Sequence, residues 1–312
     1  MKETTYSGFI AIVGRANVGK SSILNRMLGQ KIAIVSDKPQ TTRTRIMGVL
    51  TREDKQLIFV DTPGFHKPKN KLGEKMMDVV SSGLADVDAV ALVVEAAPKF
   101  KLDPEDMPKA ELALLDEIKK RNLKTILVIN KIDLVRDKSD ILPIISAYKG
   151  LHDFDAILPI SAATGDGLDE FETCVLQYVK PAPHYFSSDC VTDQADSVIV
   201  TELIREKMLR LLDKEIPHGI AVGLERFFER DTANGEPIIE VEATVYCERD
   251  SHKGIIIGKG GAMLKKIGTL ARADIEEFFG CKANVKIWVK VKEDWRNRDG
   301  LIRSFGLDGR NS

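Results

Sequence analysis

The sequence of 312 residues predicts an α/β protein, a doubly wound, mostly parallel sheet over residues 1–180 followed by a smaller α+β domain. Three observations carry this. First, short apolar runs alternate with helical periodicity up to about residue 180, giving strands at 8–13, 46–50, 56–60, 88–95, 125–130 and 155–160. Helices are expected between them at 20–28, 71–83, 109–121, 139–149 and 167–179, an order that needs a crossover after most strands and covers the sheet on both faces. Second, the pattern breaks at Lys180-Pro181-Ala182-Pro183-His184 and turns polar through Asp193, so residues 181–196 read as a linker. Third, residues 197–312 follow another order. A helix at 198–212 leads to alternating segments at 219–229 and 237–246, then to a glycine-rich entry into a helix ending at Phe279. A last strand at 283–291 precedes a tail containing Trp295.

Each half is long enough to bury a core of its own. Net charge is −1 with 30% charged residues, which excludes a global basic signal for nucleic acid or membrane and leaves only local patches. Cys174, Cys190, Cys247 and Cys281 lie far apart without CxxC spacing or a histidine partner, as expected of reduced, mostly buried thiols. No apolar run approaches the roughly 20 residues that span a bilayer. The N-terminus runs directly into strand and glycine loop, so a cleaved leader is not expected there.

Gly14-Arg15-Ala16-Asn17-Val18-Gly19-Lys20-Ser21 sits between the apolar run 9–13 and a helical pattern that opens with Ser22. In that setting it is a phosphate loop. Glycines let successive N–H groups point inward at phosphate oxygens, Lys20 reaches the β and γ phosphates, and the Ser21 hydroxyl suits Mg²⁺. Gly14, Asn17, Val18, Gly19, Lys20, Ser21 and Ser22 are therefore the phosphate-binding candidates.

Three later segments, each closing a predicted strand, extend the site. Asp61-Thr62-Pro63-Gly64 follows the run 56–60, where the Asp61 carboxylate can hold a Mg²⁺ water and the Gly64 N–H can meet a γ-phosphate. Asn130-Lys131-Ile132-Asp133 ends the run 125–129, and Asp133 can accept both the N1–H and the 2-amino hydrogen of guanine, a match that adenine cannot make. A buried carboxylate left unpaired by the wrong base would cost on the order of a few kcal/mol. Ser161-Ala162-Ala163 follows the run 156–160, and the Ala162 N–H is placed to read the guanine O6. In this order the motifs resemble those of the translation-factor-like GTPases.

In the second half, Gly258-Lys259-Gly260-Gly261 follows Ile255-Ile256-Ile257 and opens onto a helix bearing Lys265 and Lys266. Small residues there let a nucleic-acid backbone come close. Between Arg249 and Arg298 twelve Lys or Arg stand against six Asp or Glu, a local excess of six in a chain that is nearly neutral. The loop, the basic helix and the order helix-strand-strand-helix-helix-strand resemble a type II KH domain and imply contact with single-stranded RNA. Phe278 and Phe279 read as core residues, whereas the face taken by Trp288 is open.

One such GTPase domain followed by one KH domain resembles the Era family of bacterial GTPases over nearly the whole chain. The segment Lys38-Pro39-Gln40-Thr41-Thr42-Arg43-Thr44-Arg45 is its most telling short match. The resemblance makes this the effector loop and implies that Thr42 meets Mg²⁺ and the γ-phosphate in the GTP state only. It also implies binding near the 3′ end of 16S ribosomal RNA, a role in small (30S) subunit assembly, a cytoplasmic monomer, and peripheral association with the inner face of the cell membrane.

Where many small GTPases carry a glutamine after Asp-x-x-Gly, this chain has Phe65, so slow intrinsic hydrolysis is expected, near ~10⁻⁴ s⁻¹. His66 follows as a weaker candidate base. Related GTPases lacking that glutamine use an asparagine at the position of Asn17 to help hold K⁺ near the phosphates. GTPases of tRNA modification or of large-subunit assembly share the nucleotide motifs, but the former would need a modification domain of their own and the latter often carry a tandem second GTPase domain, and no second phosphate loop appears in this sequence. An RNA-binding module that holds GTP without hydrolysing it is the alternative from another class.

Overall fold

The computed structural model describes residues 4–97 and 106–309. They divide into two compact units. The first takes residues up to Ala33, Thr42–Lys69 and Gly73–Asp193, and the second takes Ile34–Thr41, Asn70–Leu72 and residues from Gln194 onward.

In chain order the first unit carries β1 (Tyr6–Val13), α1 (Lys20–Leu28), β2 (Ile46–Arg52), β3 (Lys55–Asp61) and most of α2 (Lys71–Gly83). It continues with β4 (Ala89–Glu95), α3 (Lys109–Lys120), β5 (Thr125–Asn130), α4 (Ile141–Lys149), β6 (Ala156–Pro159), α5 (Leu168–Val175) and β7 (Lys180–Pro181). The sheet order is β2-β3-β1-β4-β5-β6, with β7 on β1. Pairing is parallel except for the β2–β3 hairpin and the short β7. β4 and β5 are buried residue by residue, which is why they read as continuous apolar runs: helices cover both faces. Val90, Leu92 and Val94 of β4 pack with Leu114 and Ile118 of α3 and Ile144 and Tyr148 of α4. On β3, Phe59 stacks on Phe171 of α5.

The polar stretch expected to link the domains is for the most part fastened to the first unit. β2 is an edge strand whose outer backbone groups need partners. The Val49 N–H donates to the Val191 carbonyl at 2.9 Å and Thr192 Oγ1 to the Met47 carbonyl at 2.7 Å. The fully buried Gln56 accepts the N–H groups of Tyr185 and Phe186 at 2.8 and 3.0 Å. The boundary between units accordingly falls at Asp193/Gln194.

The second unit carries α6 (Asp196–Leu211), β8 (Ala221–Asp231), β9 (Pro237–Cys247), α7 (Asp250–Ile257), α8 (Ala262–Phe279), β10 (Lys282–Val291) and α9 (Asp299–Ser304). Its sheet is ordered β10-β9-β8, antiparallel between β8 and β9 and parallel between β9 and β10, a pairing that needs the α7–α8 crossover. Val241, Ala243 and Val245 of β9 pack with Val200 and Ile204 of α6 and with Ile267, Ala271 and Ile275 of α8. Phe278 and Phe279 lie against this core. Register turns Val285, Ile287 and Val289 of β10 toward it and leaves Trp288 outward, 45% exposed. The expected tail is structured: Trp295 is fully buried, and its Nε1–H donates to the Gly219 carbonyl at 2.9 Å. Of the four thiols only Cys247 is buried, because its strand faces the core; the other three are half-buried.

α6 also buries three consecutive charged residues, Arg205, Glu206 and Lys207. Their partners explain it. Glu206 Oε1 accepts the Val35 N–H at 3.0 Å and an Arg210 N–H at 2.9 Å, while Oε2 accepts Lys207 at 3.0 Å. Arg205 donates to the Thr41 carbonyl and to Glu202, and Lys38 donates to the Leu212 carbonyl. Residues 34–41 are thus laid along α6 by side chains that satisfy their backbone.

Candidate functional site

The phosphate loop leaves the C-terminal end of β1, where a parallel sheet opens a crevice for ligands. Gly19 has φ 102°, and a Cβ there would lie 2.1 Å from Asn130 Nδ2, so only glycine lets the loop pass at that distance. Lys20 and Ser21 begin α1, followed by Ser22, and the helix start supplies inward N–H groups. Lys20 is 6% exposed and its Nζ donates to the carbonyls of Arg15 at 2.9 Å and Gly14 at 3.2 Å. Burial lowers its pKa to about 8, although nearby Asp61 pulls the other way.

The three residues expected around the metal converge. Ser21 Oγ lies 2.6 Å from Asp61 Oδ2 and 3.0 Å from Thr42 Oγ1. Asp61 is fully buried, and its Oδ1 has no hydrogen-bond partner among the described residues. Burial raises its carboxyl to about 6, offset in part by Lys20 and by the Ser21 hydroxyl. A buried, incompletely paired carboxylate beside two hydroxyls suits a hard divalent cation such as Mg²⁺, which prefers oxygen ligands. Thr62 Oγ1 ties β3 to the Ile12 carbonyl at 3.1 Å. After Pro63, a Cβ on Gly64 would lie 2.6 Å from Ala16 Cα, so this turn presses against the phosphate loop. Thr41 Oγ1 donates to the Lys38 carbonyl at 2.6 Å and turns the strap before Thr42. His66 Nδ1 lies 2.8 Å from the Gly64 carbonyl.

Asn130 holds two loops together. Its Nδ2 donates to the Val18 carbonyl at 2.8 Å and its Oδ1 accepts the Ala162 N–H at 3.0 Å. The N–H expected to read the guanine O6 is therefore directed at Asn130 here. Lys131, with φ 68°, donates from Nζ to the Asn17 carbonyl at 2.7 Å and pairs with Glu95. Asp133 is exposed rather than buried, and Ser161 Oγ donates to its Oδ1 at 2.5 Å. Ala163 follows in the same turn. The Asp133 carboxylate is thus exposed, whereas Lys20 at the start of α1 is buried.

Sequence reasoning missed the part played by Arg15 within the phosphate loop and by Glu95, Glu111 and Tyr148 around it. Arg15 Nε pairs with Glu111 of α3, and the Tyr148 hydroxyl of α4 donates to the same carboxylate. No local pattern marks them, because the contacts span 96 and 37 residues.

In the second unit Gly258-Lys259-Gly260-Gly261 joins α7 to α8. The three glycines have φ of 74°, 59° and 81°, and a Cβ on Gly260 or Gly261 would meet nothing within 4 Å. That open, side-chain-free edge, with exposed Lys259, Lys265 and Lys266, leaves room for a sugar-phosphate backbone.

Comparison with known proteins follows the same division. A family model described as a 50S ribosome-binding GTPase matches residues 9–131, and a KH domain model matches residues 215–296. The chain is 47% identical to GTPase Era of Ruminiclostridium cellulolyticum over 301 residues, covering 96% of this chain and 97% of that protein. It is 46% identical to GTPase Era of Clostridioides difficile over 302 residues, covering 97% and 98%. A crystal structure of an Aquifex aeolicus Era variant bound to GDP and AlF₄⁻ superposes with a TM-score of 0.89 at 35% identity, covering 97% of this chain and 99% of that one. An Era complex with MgGDPNP and nucleotides 1506–1542 of 16S ribosomal RNA gives 0.89 at 34% identity with the same coverage.

Proposed function

Because the chain belongs to the Era family of GTPases, we propose that its nucleotide state governs how its KH domain holds the 3′ region of 16S ribosomal RNA during small (30S) subunit assembly. It binds and hydrolyses GTP and binds RNA. In this reading residues 1–180 form the GTPase domain and 197–312 the RNA-binding domain.

Phosphate binding falls to Gly14, Asn17, Val18, Gly19, Lys20, Ser21 and Ser22, and base selection to Asn130, Lys131, Asp133, Ser161, Ala162 and Ala163. Ser21, Thr42 and, through water, Asp61 would hold Mg²⁺, which neutralises phosphate charge when bound. Attack of water on the γ-phosphorus needs positioning and charge stabilisation more than covalent chemistry. Lys20 and the loop N–H groups supply that stabilisation in a desolvated crevice. Phe65 can neither orient nor deprotonate the water, so acceleration must come from elsewhere. Asn17 is exposed at the loop's rim with φ 68°, where its amide oxygen can take part in binding K⁺. Replacing Na⁺ by K⁺ at constant ionic strength is expected to raise phosphate release about tenfold or more, up to the roughly 10³–10⁵-fold that an arginine finger supplies. A flat response removes this role from Asn17.

The observation that carries the control of RNA binding is a joint in the chain. Thr41 has its carbonyl held by Arg205 of α6, and Thr42, the next residue, stands 3.0 Å from Ser21. Loss of the γ-phosphate releases Thr42, and the peptide bond passes that change to the strap held along α6. Reciprocity then requires RNA to shift nucleotide affinity.

The test is binding to a short strand copying the 3′ end of 16S ribosomal RNA, against a scrambled strand, with a non-hydrolysable GTP analogue and with GDP. Preference for the ribosomal strand in one nucleotide state supports the reading. Equal affinity for both strands in both states overturns it. Among the described residues no helix is long and apolar enough to cross a membrane. The protein is read as a cytoplasmic monomer, and contact with the inner face of the cell membrane would have to use the basic surface of the second unit.

A further inference from the structure

We propose that Glu111 is a positioning residue for GTP binding, holding the phosphate loop through Arg15 and itself held by Tyr148. The Glu111 carboxylate is fully buried on α3, and its two oxygens are used separately, Oε1 by Arg15 and Oε2 by the Tyr148 hydroxyl. Tyr148 is 1% exposed. Burial and the adjacent carboxylate push its hydroxyl far above the usual range, so it stays a neutral donor.

A buried ion pair is not in itself a gain in stability, since an apolar replacement of similar volume often does as well. What the pair secures is geometry. Arg15 sits where three parts of the nucleotide site meet. Its carbonyl accepts from Lys20 Nζ at 2.9 Å, its backbone bridges to Phe65, and the preceding carbonyl of Gly14 accepts the Phe65 N–H at 3.1 Å. Drawing the guanidinium toward α3 sets the course of the loop between Gly14 and Asn17.

Two and three residues further along, the loop has its own anchors, Lys131 on the Asn17 carbonyl and Asn130 on the Val18 carbonyl. Those two belong to the guanine motif. Glu111 and Tyr148 belong to helices without any motif, and they brace the loop at Arg15, ahead of the two residues that the guanine motif holds. A loop fixed before the nucleotide arrives loses less freedom on binding, and the gain applies equally to ground and transition states.

The expected signature is a split between KM and kcat. Glu111→Gln keeps the shape and removes the charge, and should raise KM for GTP and the Kd for GDP about tenfold with kcat within about twofold of wild type. Tyr148→Phe removes one hydroxyl and should raise both about threefold. Adding Glu111→Gln to Arg15→Ala should change little, because Arg15→Ala has already removed the contact with Glu111. Unaltered KM in both single variants, or a lower melting temperature with unaltered GDP affinity, overturns the inference. Should Glu111→Gln fail to fold, Tyr148→Phe decides it alone. Wild-type turnover measured in parallel separates failure of this inference from failure of the GTPase reading on which it rests.

Discussion

Lys20→Ala is expected to lower GTP turnover about 10³-fold, to the background of phosphate release, with the fold retained. The magnitude follows from the loss of a preorganised donor in a water-poor site, where one uncharged donor is already worth about 10²–10³. Lys20 is desolvated before any nucleotide binds, its pKa lowered to about 8 by burial, and it rests against two backbone carbonyls. Phosphate oxygens replace these neutral acceptors with charged ones, an exchange that gains most as charge spreads in the transition state. The measurement is phosphate release at saturating GTP. Turnover within tenfold of wild type would remove Lys20 from this role. Equal background in both proteins would instead mark a module that holds GTP without hydrolysing it.

Asp133→Asn is expected to weaken GTP binding about 10³-fold and to improve binding of xanthosine triphosphate. Two hydrogen bonds to a charged acceptor are lost, each about 1.5–3 kcal/mol. The asparagine amide then opposes the 2-amino group of guanine, donor against donor, whereas the carbonyl of xanthine at that position accepts it. Ser161, 2.5 Å from Asp133 Oδ1, can still bond to either side chain, so the loop should persist. Competition binding with the two triphosphates provides the check. Unchanged preference for GTP would mean that base selection lies elsewhere. Asp133 is exposed in this structure, so its discrimination depends on the bound base excluding water from the pair.

The parts of the candidate site that could be read from sequence are those in which the proposed chemistry uses consecutive residues. A phosphate is bound by neighbouring N–H groups and one lysine, so Gly14 to Ser22 carry their chemistry in a single word. The same holds for Asp61 to Gly64, for Asn130 to Asp133, and for the glycine loop at 258–261. Strands covered on both faces are apolar throughout, so the order of elements was also legible, to within a residue or two at most ends.

Contacts across long sequence separations were not legible. Glu111 is one polar residue in the helical pattern of α3 until folding brings it to Arg15. Arg205, Glu206 and Lys207 resemble the solvated face of a helix, yet residues 34–41 lie against the first two and Lys207 pairs with Asp274 of α8, so all three are buried. The polar stretch after Pro181 looks like free linker, but the unpaired edge of β2 captures Val191 and Thr192, and Gln56 of β3 holds Tyr185 and Phe186. Trp288 acquires a face only through the register of β10 on β9. By itself the sequence determined the pairing of a GTPase domain with a KH domain and the succession of strands and helices, because local propensity and adjacent donors encode them. Tertiary structure alone decided which buried charges lie against the phosphate loop and which helix holds residues 34–41, because a charge can be buried only where the fold brings its partner.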